Sequence, residues 1–347
     1  MSVNIYGFTL LRNGVKYDYS FRECLKSLAP VCESVYLALG EGEDTTEDAV
    51  KDLDFLKITP TVWDDSLREG GLILSQQTNV ALDALRADKK DEDGAWGFYL
   101  QCDEVIHEND YDLIREDFKK AQEQGCDAIS FRYFHFWMTH DQVAINKKWY
   151  PQEIRAVKVD SEARSWGDAQ SFENVQKVYQ SEARIYHYGH VREEDKYKSK
   201  KEDILKLYHS PAKMAKYKRR EKRFDNMTET LLYVAKHPEL MKDRIIRLGG
   251  EWLPKKAKKI FILGEKANFS DDINSKIYAE EVVWVDSLYE IPIAQRKCTI
   301  ILKPNLWQKL IYPSKVPTQM RSKLALPWSN EMYLTFKLSE KGFAYLG

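Results

Sequence analysis

Apolar runs of strand character, parted by stretches of helical spacing, constrain this chain more than any other feature. Residues 5–10 (IYGFTL), 35–39 (VYLAL), 96–100 (WGFYL) and 128–134 (AISFRYF) each read as a buried strand, with a shorter one near 56–58. Between them, Phe21, Leu25 and Leu28 recur at helical spacing before Pro30 stops the pattern. Residues 72–86 place Ile73, Val80 and Ala84 on one side of a second helix, and 111–124 form a third. Strands that are apolar throughout and alternate with helices imply a mostly parallel sheet covered on both faces, an α/β class.

Two further strands are expected at 154–159 and 183–188, then a charged helical stretch over 193–223 and a helix to about 248. Gly249, Gly250 and Pro254, followed by the basic connector 255–259, predict a boundary there. The chain accordingly divides into a domain at 1–253 and a smaller one at 254–347. The latter carries apolar runs at 260–263, 282–285, 299–302 and 333–336, enough for a small α/β accessory unit.

Hydrophobic residues at 43% and charged residues at 31% belong to a globular protein. The net charge of −1 argues against nucleic acid as a partner. No apolar run approaches the roughly 18 residues of a spanning helix, and the first residues lack the basic start and apolar stretch of a secretory signal. The cytoplasm is the expected compartment. Residues 213–223 carry seven basic side chains against Glu221; on a helix they offer peripheral contact with anionic lipid at the inner membrane surface, or simply a solvated face. Cys24, Cys32, Cys102, Cys126 and Cys298 are odd in number and form no CxxC pair, so they are read as reduced thiols outside any disulfide framework or zinc site.

The sharpest chemical feature is Gln101-Cys102-Asp103-Glu104, where a buried strand meets a loop. Open α/β sheets bind ligands at the carboxyl ends of their strands. Two adjacent carboxylates there raise each other's pKa unless a cation sits nearby, and Mg²⁺ or Mn²⁺ would resolve the conflict while neutralising a diphosphate. The same residues also read as an ordinary loop end. The loop 40–46 (GEGEDTT) can touch a nucleoside through polar groups, or can cap a helix through Asp44 or Thr45. At 187–192 (HYGHVR), His187 can complete an Asp-based metal site and Arg192 can pair with phosphate. His135 and His140 flank an aromatic stretch and read as packing residues. Asp168, on the tight turn Trp166-Gly167-Asp168-Ala169, can act as a general base or merely cap that turn.

Taken in order, these pieces resemble family-2-type glycosyltransferases of the GT-A fold, in a bacterial subgroup with a Gln-x-Asp-Glu variant of the DxD motif. The matching run comprises Arg12-Asn13-Gly14, Ser27 to Pro30, Gly42 to Thr46, Gln76 to Asn79, Phe98 to Glu104, Gly167 to Ala169 and His187 to Arg192; it covers about residues 1–250. The resemblance implies a GT-A-like fold, a nucleotide-diphosphate sugar donor, and inverting transfer to a hydroxyl of a glycan or of a phosphorylated or lipid-linked acceptor, as in cell-surface polysaccharide assembly. It further implies Asp103 as metal ligand with Glu104 and His187 in support, and Mn²⁺ or Mg²⁺ as the cofactor. Asn13, Glu41, Asp44, Gln76, Asn79, Gln101 and Arg192 would contact the donor, and Asp168 would be the base. The chain departs from the family pattern at Gln101, where the first Asp of DxD would stand, and at Thr78, where an Arg precedes the Asn. Two competing readings are nucleotidyl transfer to a sugar phosphate, which wants a glycine-rich basic loop near residue 12, and a non-catalytic nucleotide- or partner-binding protein on a degenerate transferase fold.

Overall fold

A computed structural model describes residues 3–64, 66–67, 70–144, 149–193, 195–197, 200, 203, 230–233, 236–252 and 290, and the strands 257–263, 279–285, 299–302, 336–339 and 342–345. The expected basic run 213–223 and the boundary at 254 lie outside the described residues. The chain forms two compact units, the first from residues 1–138, 152–227 and 238–244, the second from 139–151, 228–237 and 245–347.

In the first unit the elements follow as β1 (Asn4–Leu11), α1 (Phe21–Leu28), β2 (Val35–Gly40), β3 (Leu56–Thr61), α2 (Leu72–Lys89), β4 (Ala95–Tyr99), β5 (Glu104–Ile106), α3 (Tyr111–Glu123) and β6 (Ala128–Trp137). After β7 (Gln142–Ala144), which belongs to the second unit, come β8 (Gln152–Lys158), β9 (Arg164–Trp166), β10 (Ser171–Glu173) and β11 (Val178–His190). The strands lie in the order β3-β2-β1-β4-β8-β6, with β11 beyond β6 and β5 beyond β11. Pairings among β3, β2, β1 and β4 are parallel, as is β6 with β11; β8 runs against both its neighbours and β5 against β11. This is the mostly parallel α/β sheet expected, and its 3-2-1-4 half has the order of a nucleotide-binding fold.

Alternation along β1 explains how helices cover both faces. A side chain at Gly7 would strike Val35 and Leu28 of α1, whereas its neighbour Phe8 packs with Leu82 and Leu85 of α2. α3 lies on the Gly7 face, where Phe118 meets Trp96 at 5.6 Å and Phe98 at 5.5 Å. On the other face Tyr6, Phe8, Tyr36, Tyr99 and Phe172 form an aromatic core with Leu82 and Leu85. Each such residue taken fully out of water contributes about 1.5–3 kcal/mol. Gly97 is required by the same packing, since a Cβ there would come within 2.8 Å of the Phe8 ring.

In the second unit, β7 pairs antiparallel with β12 (Thr230–Leu232). The strands β13 (Ala257–Leu263), β14 (Ala279–Val285) and β15 (Thr299–Leu302) form a parallel sheet with β13 central, and β16 (Phe336–Ser339) pairs with β17 (Gly342–Tyr345) as a hairpin. The apolar runs at 260–263, 282–285 and 299–302 fall in these strands. Of the run at 333–336, residues 333–335 lie outside the described residues. Among the described residues no helix is long and apolar enough to cross a membrane.

Candidate functional site

Past the end of β4 the chain turns through Gln101 to Asp103, closed by a bond from the Glu104 amide to the Gln101 carbonyl at 2.8 Å. β5 then pairs with β11 so that Glu104 stands opposite His187, and the Tyr188 amide donates to the Asp103 carbonyl at 2.8 Å. The ladder thus fixes Asp103 against the His187-Gly189 end of β11.

Three cationic or imidazole groups surround the buried Asp103 carboxylate. Lys200 Nζ donates to Oδ2 at 3.1 Å, Arg192 Nη2 lies 3.8 Å from the same oxygen, and His187 Nε2 faces Oδ1 at 3.7 Å. Burial alone would push the carboxyl up, but Lys200, His187 and Arg192 together hold it well below the ordinary range. Both cations sit over the Tyr19 ring, Lys200 at 4.4 Å and Arg192 at 4.9 Å from its centroid. Burial keeps the Tyr19 phenol protonated and pushes His187 and His190 toward their neutral forms. Among the described residues two buried cations therefore share the Asp103 carboxylate, leaving positive charge that calls for an anion.

The neighbouring Glu104 is placed differently from its expected role in metal support. Neither it nor Arg155 exposes any side-chain surface. Arg155 donates to Oε2 at 3.0 Å and to Oε1 at 2.7 Å, the Tyr133 hydroxyl donates to Oε1 at 2.9 Å, and the Gln101 amide donates to Oε2 at 3.0 Å. Both oxygens are occupied, so Glu104 belongs to a buried bidentate pair that anchors the turn rather than to a cation. Arg155 is itself held between the rings of Tyr99 and Tyr133, at 5.3 and 5.2 Å.

The remaining candidates fall into two groups at the carboxyl ends of the strands. Asn13, in the left-handed region at φ 54°, accepts the Glu43 amide through Oδ1 at 2.8 Å. Asp44 accepts the amides of Lys16 at 2.6 Å and Thr46 at 3.0 Å. These two side chains brace the loops after β1 and β2 against each other, while Glu41 is exposed beside them. On α2, Gln76 is exposed, but Asn79 is committed to the backbone of Ser165, donating to its carbonyl at 2.8 Å and accepting its amide at 2.9 Å. Asn79 thus positions β9 rather than reaching for a donor. Asp168 lies on the β9–β10 turn between Gly167 at φ 58° and Ala169 at φ 63°, and Gln101 Nε2 donates to the Ala169 carbonyl at 3.2 Å. Gln101 in this way ties the turn of Asp168 to the loop of Asp103. Arg192 is buried with its terminal nitrogens on the carbonyls of Tyr17 at 2.6 Å and Gly189 at 2.5 Å. It contributes a fixed charge and clamps the loop after β1, instead of extending toward a ligand.

The sequence expectation of a divalent cation can be tested on this geometry. Asp103 Oδ1 and His187 Nε2 are too far apart to hydrogen-bond, and both side chains pack closely against Gly189, where a Cβ would fall 2.8 Å from Asp103 Oδ2 and closer still to His187 Nε2. The other imidazole nitrogen, Nδ1, lies 3.0 Å from His135 Nδ1. The proton between them decides whether Nε2 offers a hydrogen or a lone pair. One carboxylate and one neutral imidazole fit a hard cation that takes the rest of its shell from water and phosphate oxygens. Among the described residues no group of three or more His, Cys, Asp or Glu side chains is arranged around one point. Sequence reasoning missed Lys200 and Arg155 in this site and read His135, which meets His187, as a packing residue; Arg155 left a signal, as a lone charge in an otherwise apolar strand end, Ile154-Arg155-Ala156-Val157. The cysteines of the site, Cys24 and Cys102, are buried free thiols.

No family model and no curated protein matches this sequence. Among solved structures, TarS of S. aureus is similar with a TM-score of 0.34 and 14% identity, over 58% of this chain and 39% of that one. A TarS structure covering 1-349 gives 0.33 and 13%, over 59% of this chain and 65% of the other, so the chain spans less than two thirds of either. A UDP-glucose pyrophosphorylase complexed with UDP-glucose gives 0.32 and 11% identity, over 59% of this chain and all (100%) of that one. Likeness at this level carries no assignment, and the reading below rests on the site itself.

Proposed function

We propose that the chain is a glycosyltransferase that moves a sugar from a nucleotide-diphosphate donor to an acceptor hydroxyl by inverting displacement. The observation that carries this reading is the excess of buried positive charge around Asp103, just past the end of a central parallel strand. Such a pocket accepts a compact anion, and the carboxyl end of the sheet is where a nucleotide's phosphates are expected.

In the reading, Asp103 and His187 would hold Mn²⁺ or Mg²⁺. When bound, such an ion supplies charge neutralisation for a departing diphosphate. Arg192 adds a fixed positive field that needs no rearrangement during reaction. Glu41 and Gln76, exposed near the ends of β2 and α2, are the donor contacts left free to reach a nucleoside, with Asn13, Asp44 and Asn79 shaping the loops around it. Asp168 takes the proton of the acceptor hydroxyl as that oxygen bonds to the anomeric carbon; the bond to the diphosphate breaks, and its electron pair leaves with the nucleotide. A positioned base contributes about 10²–10⁴ in rate. The acceptor would be a glycan or a phosphorylated or lipid-linked molecule.

Nucleotidyl transfer is the competing enzyme class. It is disfavoured by the loop after β1, where Arg12 is engaged with the Glu41 carbonyl at 2.8 Å and the Trp63 ring at 5.3 Å. One experiment separates the two. The protein is incubated with UDP-, GDP- and dTDP-sugars and Mn²⁺, with or without pyrophosphate, and the nucleotides are resolved. Release of nucleoside diphosphate, reduced at least 10²-fold in Asp168→Asn, supports transfer. Formation of nucleoside triphosphate only with pyrophosphate would replace it by nucleotidyl chemistry, and no turnover of any donor would leave a binding protein.

A further inference from the structure

Two cations serve Asp103, and they are built differently. Arg192 has only 1% of its side chain exposed, and two backbone carbonyls hold its terminal nitrogens. Lys200 is 13% exposed, and its ammonium meets only Asp103 Oδ2 at 3.1 Å and the Gly189 carbonyl at 3.4 Å among hydrogen-bond acceptors of the described residues. A lysine ammonium is a point charge on a flexible stem that can exchange partners, unlike a clamped guanidinium. Lys200 comes from the stretch after β11 rather than from the sheet. Three residues on, Asp203 accepts the Tyr17 hydroxyl at 2.7 Å and lies 3.5 Å from Lys16 Nζ, fastening the same stretch to the loop after β1. The lysine therefore reaches the site from outside the sheet and rests on a carboxylate that a metal would claim.

We propose that Lys200 is a diphosphate-gripping residue of the donor site, stationed on Asp103 until phosphate oxygens replace that partner. The inference rests on the donor-site reading above and adds to it the residue that recognises the phosphates. In the exchange no covalent bond changes: the ammonium leaves Asp103 Oδ2 for a phosphate oxygen, and Asp103 would then be free to hold a divalent cation. Tyr19 lies under the ammonium at 4.4 Å in its position on Asp103.

The test measures binding of inorganic pyrophosphate, and of UDP, GDP and dTDP, by titration calorimetry with and without Mn²⁺. The proteins are wild type, Lys200→Met, Lys200→Arg and Lys196→Met as a nearby charge control. Loss of an ammonium–phosphate hydrogen bond weakens binding about tenfold or more. Lys200→Met is expected to lose at least that for pyrophosphate and for the nucleotide that binds, Lys200→Arg to recover part of it, and Lys196→Met to match wild type. Unchanged pyrophosphate affinity in a folded Lys200→Met protein overturns the inference and leaves the donor reading standing. Wild type that binds pyrophosphate through Lys200 but no nucleoside diphosphate overturns the donor reading and upholds the anion site. Wild type that binds neither overturns both.

Discussion

Replacing Glu104 by Gln asks whether the second carboxylate of the Asp103-Glu104 pair holds structure or metal. In the structure Glu104 gives Arg155 its only carboxylate partner among the described contacts, through bonds of 3.0 and 2.7 Å, with no solvent on either side chain. Glutamine keeps the shape but removes the charge that meets the buried guanidinium across these two bonds. Breaking a pair of this kind costs about 3–5 kcal/mol. In a folding unit of this size each kcal/mol moves the melting temperature by about 2–4 °C, so a fall on the order of 10 °C is expected. Thermal and urea unfolding followed by tryptophan fluorescence would report it, since Trp96 is buried in the strand leading to the turn. Adding Arg155→Met to Glu104→Gln should restore part of the loss, because the double variant buries no uncompensated charge; coupling between such neighbours runs to about 0.5–3 kcal/mol. A Glu104→Gln protein with wild-type stability and abolished Mn²⁺ binding would refute this reasoning and return Glu104 to the metal.

Gly189→Ala should abolish Mn²⁺ binding and also lower the melting temperature, because its methyl group would fall 2.8 Å from Asp103 Oδ2 and closer still to His187 Nε2 and so displace both side chains. Retained Mn²⁺ affinity in a folded variant, measured by calorimetry, would remove the Asp103–His187 pair from the metal site. Stability should also depend on pH through the histidines: burial lowers His187 and His190 from the usual value of about 6.5, so the unfolded chain binds protons that the folded one refuses. Their contribution is then present above pH ~6.5 and lost as the pH falls below it. A melting temperature that stayed level from pH 7 to 5 in wild type, or fell as steeply in His190→Asn, would contradict that assignment.

The sheet was readable in the sequence because strands buried on both faces are nearly unbroken apolar runs. Residues 5–10, 35–39 and 128–134 fall within strands, as do 96–99 of the run 96–100, and α1 begins at Phe21 and ends at Leu28, two of the apolar positions that announced it. The strands β5, β9 and β10 were not readable: three residues each give no periodicity, and pairing creates them, β5 with the distant β11 and β9 with β10 across the turn of Asp168. The site divides in the same way. Gln101, Asp103 and His187 were visible as polar residues at apolar strand ends. Asn79 was assigned to a ligand because its partner, the Ser165 backbone, lies 86 residues away and leaves no local mark. Lys200 stands in a stretch crowded with Lys and Glu, where nothing in the sequence separates it from its neighbours.

The opposite fates of Asp103 and Glu104 follow from the strand that begins between them. Successive side chains of an extended chain point to opposite sides, so two adjacent carboxylates at a strand end cannot both face the same cleft. One must enter the sheet interior, where an ion without a partner is prohibitively costly. The fold meets that cost with Arg155, brought in from the antiparallel β8, and with the Tyr133 hydroxyl from β6. The inward carboxylate then fixes the Gln101 amide, and with it the turn that carries the outward one. An Asp-Glu pair at such a point therefore supplies one ligand and one anchor. The residue to look for beside it is a buried arginine on a neighbouring strand, a requirement of charge balance that holds whatever ligand Asp103 receives.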